Sequence, residues 1–176
     1  MIAIKNIHEL TKILYTYLVK ESELDNKKVL NALSVYGIDL VKYMEDLNIN
    51  SSLDLSDLMI IFELQSRNNS SDVAFEDNNS IYSYVSYTLH LTIYGNSSNQ
   101  LAHILKNRFE SEIVRNNLLN EGIHIENIDN PSDYNEFINK TMWIRSNLNI
   151  NLTCLYKIKN IDSYSEYENI SDINII

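Results

Sequence analysis

The stretch from Ile81 to Gly122 constrains this chain most. It reads as one long strand, a tight turn and one amphipathic helix. Val85, Tyr87, Leu89, Leu91 and Ile93 fall on one face of a period-two pattern, and Ser86, Thr88, His90 and Thr92 on the other. Tyr82, Tyr84 and Tyr94 lie at its ends. Such alternation, rich in Tyr, Val, Ile and Thr, predicts a half-buried antiparallel strand. Gly95 ends the strand. Ser97, three residues before Gln100, has the capping-box spacing. Leu101, Ile104, Leu105, Phe109, Ile113 and Leu118 then recur at helical spacing, and Gly122 supplies a left-handed stop. An apolar strand face followed at once by an apolar helix face is buried most simply by packing the helix on the sheet.

The flanking sequence extends this unit. Ile7 to Glu23 predicts a helix, with Leu10, Ile13, Leu14, Tyr17 and Leu18 on one stripe. A second helix is expected from Asn26 to Leu47, on the spacing of Val29, Leu33, Tyr36, Leu40 and Met44, and Asn48 to Asp57 is polar and short. Leu58 to Gln65 is a strand apolar on both faces through Phe62, the pattern of a central or doubly covered strand. Arg67 to Ser80 has no periodicity and is expected to be a long exposed loop, either a finger that orders on a partner or simply disordered. Ile123 to Ile128 alternates as a short edge strand, and Asn130 to Tyr134 predicts a turn. Asn135 to Arg145 is ambiguous. From Met142 to Ile158 a second long strand alternates, with Arg145, Asn147, Asn149, Asn151, Thr153 and Lys157 on its polar face. It should pair with the central strand.

The expected architecture is α+β: an antiparallel sheet of about four strands with a helix packed on one face, preceded by two N-terminal helices. The expected divisions are a helical segment over 1–50, an α+β domain over 51–160 and an acidic tail over 161–176, together forming one structural unit.

Composition narrows the function. The net charge of −10 opposes tight nucleic-acid binding, which needs clustered Lys and Arg. No apolar run is long enough to span a bilayer, so no membrane role is expected. The single Cys154 excludes an intrachain disulfide and a cysteine-based zinc site, and reads as a small buried hydrophobe. His8, His90, His103 and His124 show no metal spacing, and no phosphate-cradling loop or Gly-x-Ser-x-Gly occurs. Glu21 with Glu23, and Asp54 with Asp57, read as solvated carboxylates rather than catalytic pairs. The expectation is a non-enzyme with no cofactor and no metal, acting through contacts. The 12 Tyr fit a sheet that becomes a partner surface, and equally fit plain strand propensity. Candidate interface residues are Arg67, Asp72, Phe75, Tyr82, Tyr84, His90 and Tyr94.

The order of signals from Leu58 to Ile158 resembles the neck-terminator, or tail-terminator, proteins of tailed bacteriophages and contractile phage-tail-like particles. The residues that carry it are the strand LMIIFELQSR after Asp57, the tyrosine-led strand YSYVSYTLHLTIYG, and the cap and helix NSSNQLAHILKNRF. LLNEGIHIENI follows, and Trp143 to Arg145 opens the last strand NLNINLTCLYKI. The N-terminal helices are longer than the family's helical start, and no Pro-rich lead-in precedes the first strand. The resemblance implies a ring, usually a hexamer, that caps the head-proximal end of the tail tube and stops its growth. It also implies contact with the tube protein and with neck, connector or sheath proteins, and a place in the virion or tail-like particle after assembly in the bacterial cytoplasm. A head-tail joining or tube protein, or a small non-catalytic binding module, are the alternative readings.

Overall fold

The computed structural model describes residues 3–35, 42, 58–67, 74–77, 80–138 and 141–158. Helix α1 spans Ile7–Ser22 and starts on Asn6, whose side chain accepts from the Glu9 amide at 2.9 Å. Strand β1 is Val29–Asn31, β2 Met59–Ser66, β3 Ala74–Asp77 and β4 Ser80–Tyr94. Helices α2 (Ser98–Glu110) and α3 (Glu112–Asn120) follow. Strands β5 (Ile123–Ile128), β6 (Ser132–Ile138) and β7 (Thr141–Ile158) complete the order.

The strands form a seven-stranded sheet in the order β1-β2-β4-β7-β5, with β3 added to β4 and β6 to β7. β4 and β7 pair antiparallel from Ile81↔Ile158 to Tyr94↔Arg145, as the two alternating patterns predict. This pair is the spine. On its inner face Leu89 opposes Ile150 and Leu91 opposes Leu148, all buried. β2 continues that face through Ile60, Phe62 and Leu64, and β5 through Ile123, Ile125 and Ile128. Helix α2 lies on β4 and β7, α3 lies on β5, and α1 packs against α2 and β1. Leu10, Leu14 and Leu18 of α1 and Leu101, Leu105 and Phe109 of α2 join one core with these strands. Arg108 ties the two helices: it donates to the Glu21 carbonyl and to the Glu23 carboxylate, each at 2.5 Å. A guanidinium at a helix C-terminus satisfies carbonyls that the helix itself leaves open.

The structure corrects several expectations. Where a second N-terminal helix is expected from Asn26, the chain makes a 3-10 turn, strand β1 and another 3-10 turn over Ala32–Val35. Asp25 caps the first turn by accepting from Lys27 N at 2.8 Å, and Tyr15 Oη donates to the Asn26 carbonyl at 3.2 Å. Val29 then pairs parallel with Ile60, which makes the sheet mixed rather than wholly antiparallel. Pairing and burial of Val29 outweigh a helical spacing that Leu33, 81% exposed, does not use. The expected continuation through Tyr36, Leu40 and Met44 lies outside the described residues.

Nor is the sheet limited to about four strands. The expected loop from Arg67 to Ser80 contains β3, paired with β4 from Ala74↔Ser83 to Asp77↔Ser80. The expected turn at Asn130–Tyr134 runs into β6, which pairs with β7 from Ser132↔Asn147 to Ile138↔Thr141.

The expected single helix is two. Ser111 takes extended dihedrals and caps α3, accepting from Val114 N at 3.4 Å. The break changes helical phase: Val114 is buried and Ile113 is 74% exposed. At the start of α2, Ser97 is the N-cap by position and makes no side-chain cap bond. Gly95 (φ 120°) and Gly122 (φ 81°) bracket the helical pair in conformations that favour glycine.

Candidate functional site

The outer face of the sheet is where alternation sends the polar residues, and the structure joins them into rows. In one row, His90 Nδ1 lies 2.9 Å from Asn149 Oδ1 and Nε2 lies 3.0 Å from Gln65 Oε1. Asn149 Nδ2 donates to Asp129 Oδ2 at 3.3 Å. That bond turns the Asn149 oxygen toward the imidazole, so both ring nitrogens of His90 meet amide groups of neighbouring strands. In the next row, Thr88 Oγ1 donates to Asn151 Oδ1 at 2.8 Å, and Asn151 Nδ2 donates to Asn127 Oδ1 at 2.6 Å. In a third, the Ser86 and Thr153 hydroxyls are 3.3 Å apart and Thr153 donates to Glu126.

Arg67 crosses this third row. It donates from Nη2 to Glu126 Oε2 at 2.6 Å and to the Leu152 carbonyl at 3.3 Å. Small Ser86 and Thr153 side chains leave room for the guanidinium. Short side chains on adjacent strands are within hydrogen-bond reach of one another, and the longer Gln65, Arg67 and Glu126 extend the rows at their ends. The hydrogen bonds from Thr153 and Arg67, with the Arg67 charge, hold the Glu126 carboxyl below its ordinary range.

The ends of this face differ from its middle. At the β3 end, Phe75 opposes Tyr82 in register, Tyr82 opposes Lys157, and Tyr84 opposes Leu155. Tyr84 is 41% exposed, and Leu155 is buried. At the β6 end, Met59, Tyr94, Arg145 and Tyr134 are register neighbours, with Met59 and Tyr94 buried and the Arg145 guanidinium 5.7 Å from the Tyr134 ring centre. The structure therefore groups Phe75, Tyr82 and Tyr84, sets His90 and Arg67 in the polar middle, and buries Tyr94 at the far end. Asp72 lies outside the described residues.

Sequence reasoning did not single out Glu126, Asn127 and Asp129 as parts of this face. They occur in a short segment with a bulge between Ile125 and Asn127, and only the pairing with β7 shows what they reach.

A second polar cluster clips β6 and the start of α2 to β7. Ser98 Oγ is 3.0 Å from Ser146 Oγ, which donates to Asp133 Oδ1 at 2.6 Å, and Asn99 Nδ2 donates to Oδ2 at 2.6 Å. The Ser146 hydrogen bond first, and Asn99 next, lower the Asp133 carboxyl from its ordinary value. Ser146 thus gives its proton to a carboxylate that holds it, and the chain of bonds acts as a brace. Ser98 and Ser146 are fully buried, so this brace explains the polar position in the apolar face of β7.

Two further features have simple chemistry. Burial pushes the Cys154 thiol up to about 12, with the Glu126 charge adding to it, so the group stays a protonated thiol. An open groove of about 350 Å³ runs between α1, β1 and β2, lined by His8, Tyr15, Val29 and Phe62 among others. Among the described residues, no three His, Cys, Asp or Glu side chains cluster as metal ligands, and no helix is long and apolar enough to cross a membrane.

The geometry is that of a contact surface: hydrogen-bonded rows of polar side chains between aromatic ends on two long strands. No curated protein matches the chain in sequence. A family model described as phage neck terminator protein matches residues 34–176, from the 3-10 turn after β1 through the whole β4–α2–α3–β7 unit. The chain belongs to the phage neck terminator family.

Proposed function

We propose that this protein is a structural tail terminator: copies assemble as a ring, about six to a turn, on the head-proximal end of a phage or phage-like tail tube. The ring ends tube polymerisation and presents a surface to neck, connector or sheath proteins. The observation that carries this reading is the family match over most of the chain, including both spine strands. The outer sheet face supports it. Its middle rows satisfy one another and leave few bonds to offer a transient neighbour, whereas its ends keep aromatic rings near the surface. Aromatic side chains of this kind are favoured at protein interfaces.

The acidic balance of 24 Asp and Glu against 14 Lys and Arg supports the same role. A ring of such subunits repels nucleic acid and lets it pass without adhering. The mechanism is steric, and no bond-making step is part of it. Its place is the neck end of the particle, assembled in the bacterial cytoplasm.

Cryo-electron microscopy of particles recovered with a tagged copy tests the proposal. One ring at the head-proximal end is the expected result and also reads out the symmetry. Copies along the whole tube would make the protein a tube component, and a protein that never joins tails would overturn the reading.

A further inference from the structure

We infer that β6 is a guard strand that lifts from β7 as a unit while the rest of the sheet stays folded, and that the Asp133 carboxylate is the pin that holds it down. The inference is independent of the ring reading.

β5 and β6 pair with successive stretches of one strand, β7, and they are held to it in different ways. Ile123, Ile125 and Ile128 of β5 are buried in the core. The β6 side chains described are Ser132, Asp133 and Tyr134, and all three are exposed. Among the described strands β6 pairs with β7 alone. Beyond that ladder its ties are polar: Ser146 Oγ donates to Asp133 Oδ1, Asn99 Nδ2 donates to Oδ2, and the Arg145 guanidinium lies over the Tyr134 ring. An exposed cation against a ring contributes little, whereas hydrogen bonds to an ionised group are the stronger class. A strand with one neighbour and few buried apolar contacts belongs to the part of a fold that opens first.

β7 itself favours release. The Trp143 indole N–H and the Asn147 side-chain oxygen are buried with no hydrogen-bond partner. Trp143 stands opposite Glu136 and Asn147 opposite Ser132, so both lie in the register of β6. A buried polar atom without a partner costs free energy that water returns when the atom is uncovered. The connection before the strand supplies the fixed end. Asp129 N donates to the Asn149 carbonyl at 3.0 Å, and Lys106 Nζ donates to Asn130 Oδ1 at 2.6 Å. Pro131 follows, with no N–H to pair, and β6 begins at Ser132. Lifting uncovers the edge of β7 from Thr141 to Asn147, a row of backbone groups that the closed strand keeps from other chains.

Hydrogen exchange of the intact chain, followed residue by residue by NMR, tests this. The β6 amides should exchange together, at least about tenfold faster than those of β5 and of the β4–β7 spine. Asp133→Asn keeps the shape and removes the charge, and should speed exchange in β6 about tenfold while β5 stays as it is. Glu126→Gln, which removes a hydrogen-bonded carboxylate from β5 instead, should leave β6 unchanged. Trp143 is the single tryptophan, so its benzothiophene analogue can replace it, keeping the ring and deleting the N–H. Exchange in β6 should then slow about tenfold. β6 amides as protected as the spine would overturn the guard strand. An Asp133→Asn variant that speeds β5 and β6 alike, or neither, would overturn the pin. Exchange in β6 that fails to slow with the analogue would overturn the part given to the Trp143 N–H.

Discussion

The inner and outer faces of the sheet are built by the same residues' neighbours, one position apart, and they do opposite things. Inward, Leu89, Leu91, Ile150 and Leu152 are almost fully covered by α2 and its partners. Outward, Thr88, His90, Asn149 and Asn151 are half-buried and spend their polar atoms on one another. Burial of apolar area supplies most folding free energy, whereas hydrogen bonds traded against water contribute little each. The inner face should therefore set stability and the outer face what the protein adheres to.

That division can be broken by substitution, beginning where the effect is largest. Phe62→Ala empties a fully buried inner site and should cost about 3–5 kcal/mol in urea unfolding; a loss below about 1 kcal/mol would mean that the inner face does not dominate. Arg108→Met removes the tie between α2 and the end of α1, and about 1–2 kcal/mol should go with it. Hydrogen exchange should then rise in α1 before it rises in β4. On the outer face, Asn151→Ala leaves Thr88 and Asn127 to water, and a loss under about 1 kcal/mol is expected. A larger loss would make the lattice a structural element in its own right.

Acid sharpens the comparison further. Glu126 and Asp133 both have depressed carboxyl values in the folded chain. A depressed value means that the unfolded chain binds the proton more readily. Their contribution is then fully present above the unfolded value, near pH 4.3 for Glu and 3.9 for Asp, and is lost as pH falls through the folded values. Glu126→Gln should flatten the fall in stability below about pH 5, and an unchanged slope would remove Glu126 from the account. Smallest in stability is Tyr84→Ala, within about 0.5 kcal/mol of the parent, while its incorporation into particles should drop. A variant that unfolds instead would place Tyr84 in the core's service.

Much of this was legible. Alternation marked both long strands and sorted their side chains correctly into faces, and Ile123–Ile128 read as the edge strand it is. Other parts misled for physical reasons. Val29 and Leu33 share a helical spacing, but Val29 gains more from pairing with Ile60. Pro131 and its polar neighbours look like a turn, yet the residues after it find an open edge on β7. Ser111 carried a signal, since Ser followed by Glu suits a helix start, but continuous apolar spacing hid the change of phase. For the candidate surface, the polar residues of β4 and β7 were visible, whereas Glu126, Asn127 and Asp129 required the strand order.

Which residues share a face follows from residue order alone, because successive side chains of a strand point to opposite sides whatever the strand pairs with. The acidic charge and the single thiol are likewise properties of composition. The order of the strands, the parallel joining of β1 and the extension of β6 beyond the end of β4 emerge in the folded chain. Those choices depend on contacts between segments far apart in the chain, where burial and hydrogen bonding outweigh local preference.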